Sequence, residues 1–137
     1  MNNTVEKTLS IIKPDAVERN LEGEIKEMFK NNGFQILKEK KIQIEKSEAE
    51  KFYKVHQSKP FYNDLCSYLS SGPIVVIILE GQNAISENRR LMGATDPKKA
   101  EKGTLRFNYG ISIDKNSVHG SDSLDNAKKE IDFFFKN

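Results

Sequence analysis

Residues 73–81 read "PIVVIILEG", six aliphatic residues in a row between a proline and a glutamate–glycine pair. The run Ile74–Leu79 is far too short to cross a bilayer, which takes ~20 apolar residues as a helix. It has the length and the β-branched content of a strand. Because no polar residue alternates with the apolar ones, that strand is buried on both of its faces.

Upstream, "SSG" at 70–72 separates this strand from a helical stretch running from Pro60 through Leu69. Ser47 and Glu50, three apart, read as a capping box that starts an earlier helix carrying Phe52 and Tyr53 and fading near His56. From Phe34 to Ile44 apolar residues alternate, with Phe34, Ile36, Ile42 and Ile44 on one face. That pattern predicts a long strand with one partly wet face, and "KEKK" at 38–41 is its solvated side. Leu21, Ile25, Met28 and Phe29 recur at helical spacing, and Asn32-Gly33 ends that helix at a left-handed cap. "DAVERN" beside Pro14 is a short helical turn. "KTLSII" at 7–12 is a second apolar strand, ended by Lys13-Pro14 because proline cannot extend a central ladder.

Downstream, Asn83 is placed to cap a helix with Ala84, Ile85, Asn88, Leu91 and Met92 on one side. The loop "GATDPKKAEKGT" at 93–104 is long for a compact domain, and such loops are usually functional or mobile. "LRFNYGISID" has no decisive pattern, and "SVH" is a short strand. Ser121, Asp122 and Ser123 offer N-caps to a last helix with Leu124, Ala127, Ile131, Phe134 and Phe135 inward. Strands separated by helices predict an α+β sandwich with helices on one face, and a ferredoxin-like β-α-β-β-α-β order is one candidate.

The 137 residues suit a single domain, 1–137, with one core. Charged residues make up 31% and hydrophobic residues 36%, too apolar for disorder and too charged for a membrane protein. Net charge is +2, so a specific nucleic acid is not the expected partner, and with no apolar run longer than Ile74–Leu79 no membrane is expected either. "MNNTVEKTLS" lacks a basic region followed by an apolar core, so no secretory signal is expected. Cys66 is the one cysteine; it can form neither an internal disulfide nor a structural zinc site, and it reads as a small core residue in a cytoplasmic protein.

"NSVHGSDSL", residues 116–124, holds one of the two histidines. Gly120 removes a Cβ beside His119, so another group can approach the ring. The helix start after it attracts anions. No second His or Cys lies nearby, which disfavours a metal ligand. A proton shuttle, a nucleophile and an ordinary capping histidine all remain open. His56, in "YKVHQSKP", reads as a helix-end residue. Lys13, Arg89 and Arg106 each sit beside a structure-breaking position, where binding groups gather, although singly each could be a solvated charge.

"TLSIIKPDAV", "KPFYNDL", "SGPIVVIILEG", "NRRLMGATDP", "GTLRF" and "NSVHGSDSL" occur in the order and spacing of nucleoside diphosphate kinases. The chain resembles that family from about Lys7 to about Phe135. The resemblance implies transfer of the γ-phosphoryl group from a nucleoside triphosphate, typically ATP, to a nucleoside diphosphate, which maintains triphosphate pools. It implies a ping-pong route through a phosphohistidine, with Nδ1 of His119 as the nucleophile. Glu130 matches the glutamate bonded to the other ring nitrogen, and Ser121 the serine that holds that glutamate. Lys13 and Asn116 match residues on the ribose 3′-hydroxyl, with Lys13 also near the transferring phosphate. Arg89, Thr95 and Arg106 match groups on the β and γ phosphates. Tyr53 matches a tyrosine close to the histidine, and Phe61, with Leu65 beside it, the aromatic on which the base stacks. The implied cofactor is Mg²⁺ carried on the nucleotide phosphates rather than on protein ligands. The implied fold is a four-stranded antiparallel sheet of ferredoxin-like topology with helices around it. The implied assembly is a homo-oligomer, tetramer or hexamer; the chain ends at "FFFKN", without the longer extension of many hexameric members, and so leaves the choice open. The 93–104 loop matches one that forms part of the site and of subunit contacts.

Two other readings compete. An RNA-recognition module shares the β-α-β-β-α-β order but needs stacking aromatics on its central strands, and "TLSII" and "IVVIIL" contain none. A catalytically inert member of the family would have lost the histidine or the basic residues, and all of them are present.

Overall fold

The computed structural model describes residues 4–135; the first three residues of the N-terminal stretch and the last two of "FFFKN" lie outside the described residues. Strand β1 (Val5–Ile12) leads through α1 (Pro14–Glu18) and α2 (Glu22–Asn31) to β2 (Gln35–Ile42). Helices α3 (Lys46–Phe52) and α4 (Tyr62–Leu69), with a 3₁₀ turn at Lys54–His56 between them, return the chain to β3 (Ile74–Gln82). Helix α5 (Ala84–Met92), a 3₁₀ turn at Pro97–Lys99 and α6 (Leu105–Tyr109) precede β4 (Val118–Gly120), and α7 (Leu124–Phe135) comes last.

The strands lie in the order β2-β3-β1-β4, and every neighbouring pair is antiparallel. β1 and β2 are therefore parallel across β3, and β3 and β4 are parallel across β1. These are two interlocked split β-α-β units, the ferredoxin-like arrangement that the resemblance implied. β3 and β1 are the two central strands, which explains why they carry the two most apolar segments.

Ile74 through Leu79 are all buried, and they divide by parity. Val75, Ile77 and Leu79 pack with residues of α1, α2, α5 and α6, whereas Ile74 and Val76 pack with α3, α4 and α7. Helices thus cover both faces of the sheet, not one. A strand with no polar side needs two covers, since each exposed aliphatic side chain would forgo roughly 1.5–3 kcal/mol of transfer free energy.

Strand β2 departs from its predicted alternation. Its register against β3 shifts between Ile36 and Lys38, which leaves Leu37 as an extra residue. One extra residue inverts the parity of the rest of the strand. Phe34 and Ile36 accordingly join the α2 side of the core, and Ile42 and Ile44 the α3 side, rather than sharing a face.

Two local expectations are also revised, and one stretch left open is resolved. The capping box is Glu45 with Glu48, not Ser47 with Glu50, so α3 starts two residues earlier. Leu124 is exposed, because the last helix buries Ala127 and Phe134 and turns its first residue outward. "LRFNY" forms a helix, capped by Thr104, whose hydroxyl accepts from the Phe107 amide at 3.3 Å. The Asn32-Gly33 stop after α2 holds: Gly33 has φ +87°, a conformation that costs glycine little.

Candidate active site

Strand β4 is short, and its middle residue is His119, opposite Ile11 of β1. The ring stands at one end of the sheet, between α3 and α7. Its Nε2 lies 3.0 Å from Oε1 of Glu130 on α7. A carboxylate can only accept, so Nε2 carries the proton and Nδ1 holds the lone pair. The same Oε1 accepts from Ser121 Oγ at 2.8 Å. Ser121 is in turn fixed to β1: its amide donates to the Leu9 carbonyl at 3.2 Å and its hydroxyl accepts from the Leu9 amide at 3.4 Å. Helix α7 brings Glu130 to this point because Ser123 caps its start, accepting from the Asn126 amide at 3.1 Å. Phe52 meets the imidazole edge-to-face, with ring centroids 5.3 Å apart, and limits its rotation from the other side.

The ring opens into a cleft of about 580 Å³. Lys13, Tyr53, Phe61, Leu65, Arg89, Thr95, Arg106, Asn116, His119 and Glu130 all line it, so ten of the eleven residues singled out from the sequence converge on one cavity. Ser121, the eleventh, is buried behind Glu130.

Two of the cations, Lys13 and Arg106, are held before any ligand arrives. Lys13 is buried, and its Nζ donates to Asn116 Oδ1 at 2.9 Å. Asn116 Nδ2 donates to the Thr95 carbonyl at 3.1 Å, which ties the 93–104 loop to the cleft. Burial, and then the Arg106 charge, push the Lys13 ammonium down to about 8. Arg106 spans two segments: Nη1 donates to the Gly93 carbonyl at 3.0 Å and Nη2 to the Val118 carbonyl at 2.9 Å. Its Nε is buried without a protein partner among the described residues, a donor still to be satisfied. Burial and the nearby Arg89 lower the Arg106 guanidinium to about 10, so it stays charged at neutral pH. Burial and the Glu130 charge hold the Tyr53 phenol well above its ordinary range, so it stays protonated.

Gly120 has a further role beyond the one its sequence setting suggests. A Cβ built there would lie 2.8 Å from Met92 Cε and would also collide with the Asn88 amide. The missing side chain lets α5 close onto β4, and the glycine also lines the cleft.

Sequence reasoning missed several residues of the cleft, among them Phe52, His56, Ile113 and Asp122. Phe52 reads in the sequence only as part of a helix, and its partner is 67 positions away. His56 is not merely a helix end: it lies at the cleft near Phe61, ring centroids 6.2 Å apart, with its Nδ1 3.0 Å from Lys59 Nζ. Burial and Lys59 lower its pKa and favour the neutral ring. The periodicity of "LRFNYGISID" carries no signal for Ile113. Asp122 reads as a helix cap; it accepts from the Asn126 side chain and also faces the cleft.

A fixed imidazole with a carboxylate behind it, lysine and arginine in front of it and an aromatic at the mouth puts the molecule in the class of nucleotide phosphotransfer enzymes. Comparison with known proteins narrows that class. The family model described as nucleoside diphosphate kinase matches residues 6–137. The chain is 59% identical over 131 residues to the nucleoside diphosphate kinase of a Nitratiruptor species, covering 96% of both chains. It is 57% identical over 132 residues to that of Campylobacter jejuni, again covering 96% of both. Its structure superimposes on the crystal structure of the Aquifex aeolicus enzyme with a TM-score of 0.95 at 40% identity, covering 98% of this chain and 97% of the other. The chain belongs to the nucleoside diphosphate kinase family and transfers phosphoryl groups between nucleotides.

Proposed function

We propose that the transfer proceeds through a phosphohistidine on His119, in two half-reactions at one site, carried by a single domain spanning 1–137. The observation that carries this reading is the Nε2–Glu130 hydrogen bond, 3.0 Å long and braced by Ser121 at 2.8 Å. It leaves Nδ1 as the nucleophilic atom. In the first half-reaction Nδ1 forms a bond to the γ-phosphorus while the bond from that phosphorus to the β–γ bridging oxygen breaks, and the diphosphate leaves with the electron pair. Glu130 supports the ring as positive charge develops on it, the part played by the orienting third group behind an activated nucleophile. In the second half-reaction an acceptor diphosphate oxygen attacks the phosphohistidine and restores the imidazole.

Arg89, Thr95 and Arg106 face the β and γ phosphates in this reading, and the unpaired Nε of Arg106 supports it, because a buried donor needs an acceptor. Lys13 and Asn116 hold the ribose 3′-hydroxyl, with Lys13 also near the transferring phosphate. Phe61 stacks on the base beside Leu65, which tolerates any base since each has a π-face. Tyr53, kept neutral, flanks the histidine. No group of three His, Cys, Asp or Glu side chains that could hold a metal occurs among the described residues. Asp114 and Asp122 line the cleft as separate carboxylates. That donor set fits Mg²⁺ that arrives on the nucleotide phosphates and keeps much of its water, which Asp114 or Asp122 would hold from the cleft wall. When bound, Mg²⁺ would neutralise charge on the β and γ oxygens.

Initial rates measured against the acceptor at several fixed donor concentrations are expected to give parallel double-reciprocal lines. Intersecting lines would mean direct transfer and would remove the intermediate.

The buried lysine makes the reaction sensitive to pH. Lys13 in the free enzyme loses its proton near pH 8, whereas phosphates favour the charged form. Below that pH the ammonium is ready for the ligand; above it, binding must first take up a proton. The kcat/KM for ATP is therefore expected to fall as pH rises through about 8. Stability runs the other way: the folded state binds fewer protons than the unfolded one between about 8 and the ordinary lysine value of 10.5, so this group makes the fold more stable as pH rises through that window. A pH–rate profile that stays flat to pH 10, with Lys13→Arg likewise flat, would count against this role for Lys13.

The reading includes a homo-oligomer, tetramer or hexamer. Exposed Phe107 and Ile111, near the 93–104 loop, support it, since apolar side chains grouped on a surface favour a partner. A monomer in light scattering at micromolar concentration would exclude it. We assign the chain to the cytoplasm, a reading that the free, buried thiol of Cys66 supports. Recovery in the membrane or secreted fraction would exclude it. Among the described residues no helix is long and apolar enough to cross a membrane.

A further inference from the structure

We propose that Asp15 is a positioning residue: through Ser117 it fixes Asn116 against Lys13, and so sets the enzyme's discrimination at the sugar 3′ position. This inference rests on the proposed role of Lys13 and Asn116 in holding the 3′-hydroxyl.

Asp15 lies on α1 and is only 4% exposed, yet it does not line the cleft. A carboxylate in that position needs partners, because burying it alone is costly. Its Oδ2 accepts from Ser117 Oγ at 2.8 Å and from Arg19 Nη2 at 3.0 Å. Its Oδ1 accepts from the Tyr68 hydroxyl on α4, which in turn accepts from the Asp15 amide at 2.8 Å. Arg19 adds Nε to the Asp15 carbonyl at 3.0 Å and Nη2 to the Tyr109 carbonyl at 2.5 Å. One carboxylate thus joins α1, α4 and the segment that runs from α6 to β4.

Ser117 is where this network meets the site. It is fully buried and has φ +76°, a region that a serine without special support avoids. Its carbonyl accepts from the Lys13 amide at 2.8 Å. The turn it makes places Asn116 Oδ1 on Lys13 Nζ at 2.9 Å and Asn116 Nδ2 on the Thr95 carbonyl at 3.1 Å. The next residue, Val118, enters β4 opposite Ile12, and His119 comes after it. The Ser117–Asp15 bond, with a longer 3.3 Å bond from Arg19 Nη2 to the same hydroxyl, holds this conformation from behind. Without it the turn can relax toward a commoner backbone state, and Asn116 loses its register with Lys13. His119 is less affected, because Ile11, Ser121 and Glu130 also hold it.

The test compares kcat/KM for ATP and for 3′-deoxy-ATP as donors in the wild type, Ser117→Ala, Asp15→Asn, Tyr68→Phe and Asn116→Ala, together with the melting temperature of each. Ser117→Ala removes the hydroxyl, with its bonds to Asp15 and Arg19, but keeps a side chain at positive φ, so it isolates the tie between the turn and this network. It is expected to narrow the preference for ATP by about tenfold, the weight of one charge-assisted hydrogen bond, with a much smaller change for 3′-deoxy-ATP. Tyr68→Phe is expected to act in the same direction but less, since Oδ1 does not touch Ser117. If Ser117→Ala lowers both donors equally, with or without a lower melting temperature, Asp15 only holds the fold and the proposal is overturned. Should Asp15→Asn fail to fold, the Ser117→Ala ratio alone decides. Asn116→Ala separates the role of the 3′-hydroxyl contact from that of its support. A wild-type ratio in that variant overturns the 3′-hydroxyl reading and the proposal with it. A collapsed ratio there, beside an unchanged one in Ser117→Ala, overturns the proposal alone.

Discussion

His119→Ala is expected to form no acid-labile phosphoenzyme from ATP and Mg²⁺, and to lose turnover by a factor on the order of 10⁴ or more. The size reflects what the residue supplies. Ser121 is buried behind Glu130, and the Tyr53 phenol is kept protonated, so neither can replace a neutral imidazole at the floor of the cleft. The fold should survive. The ring is partly exposed, and Glu130 keeps its 2.8 Å bond from Ser121 when the imidazole goes. A melting temperature within a few degrees of the wild type would therefore accompany the lost activity. The other imidazole in the cleft, His56, is the one serious competitor. It packs beside Phe61 at the mouth and its Nδ1 faces Lys59 at 3.0 Å, so it lacks both the carboxylate and the position. Acid-labile phosphate on the His119→Ala protein, mapped to His56, would sink the assignment.

Much of this architecture is legible in the order of residues, and the parts that are not fail for identifiable reasons. "PIVVIILEG" announces a strand covered on both sides, because continuous aliphatics leave no face for water. The expectation of helices on one face contradicts that reading, and the two clusters of core residues resolve it in favour of the strand. The β2 bulge is invisible to a period-2 count. Phe34, Ile36, Ile42 and Ile44 keep their alternation in sequence, while Leu37 inverts their faces in space. The capping box is displaced by two residues because Ser-x-x-Glu and Glu-x-x-Glu overlap at 45–50, and local propensity favours the serine.

The site divides in the same way. Proximity in sequence makes His119, Gly120 and Ser121 readable as a group, although the small residue at 120 serves the packing of α5. Glu130 can be named only through the resemblance, since "KKEIDF" is indistinguishable from a solvated helix face until α7 is docked. Lys13 and Asn116 are 103 positions apart and meet only because β1 and β4 are neighbours in the sheet. Long-range pairing of this kind is set by topology, which one sequence does not encode in any local pattern. The Asp15 network is the clearest case: Asp15, Tyr68 and Ser117 each look like ordinary polar residues until the fold assembles them.

Arg106→Ala is expected to lower kcat/KM by about 10²–10³ and, separately, to reduce stability by about 1–3 kcal/mol. The two losses have distinct origins in one guanidinium. Two of its nitrogens are committed to the Gly93 and Val118 carbonyls, at 3.0 and 2.9 Å, and the variant leaves those acceptors short of a donor in a part-buried setting. The Nε is buried and unpaired among the described residues, and its positive charge is retained despite burial and the neighbouring Arg89. A fixed charge of this kind is worth more than a mobile one, because no reorganisation is needed as charge builds on the transferring group. Arg106→Lys separates the contributions: it restores a charge, but a single ammonium cannot reproduce the planar fork that spans both carbonyls. Its rate should recover in part while its melting temperature stays below the wild type. The stability loss should also reach the nucleophile, since the Val118 carbonyl belongs to the residue that precedes His119 on β4. Denaturation midpoints with and without ADP–Mg²⁺ give the check. Wild-type protein should gain stability from the nucleotide and Arg106→Ala should gain much less; an equal gain, with wild-type kcat/KM, would remove Arg106 from the phosphate site and leave it only the tie between the 93–104 loop and β4.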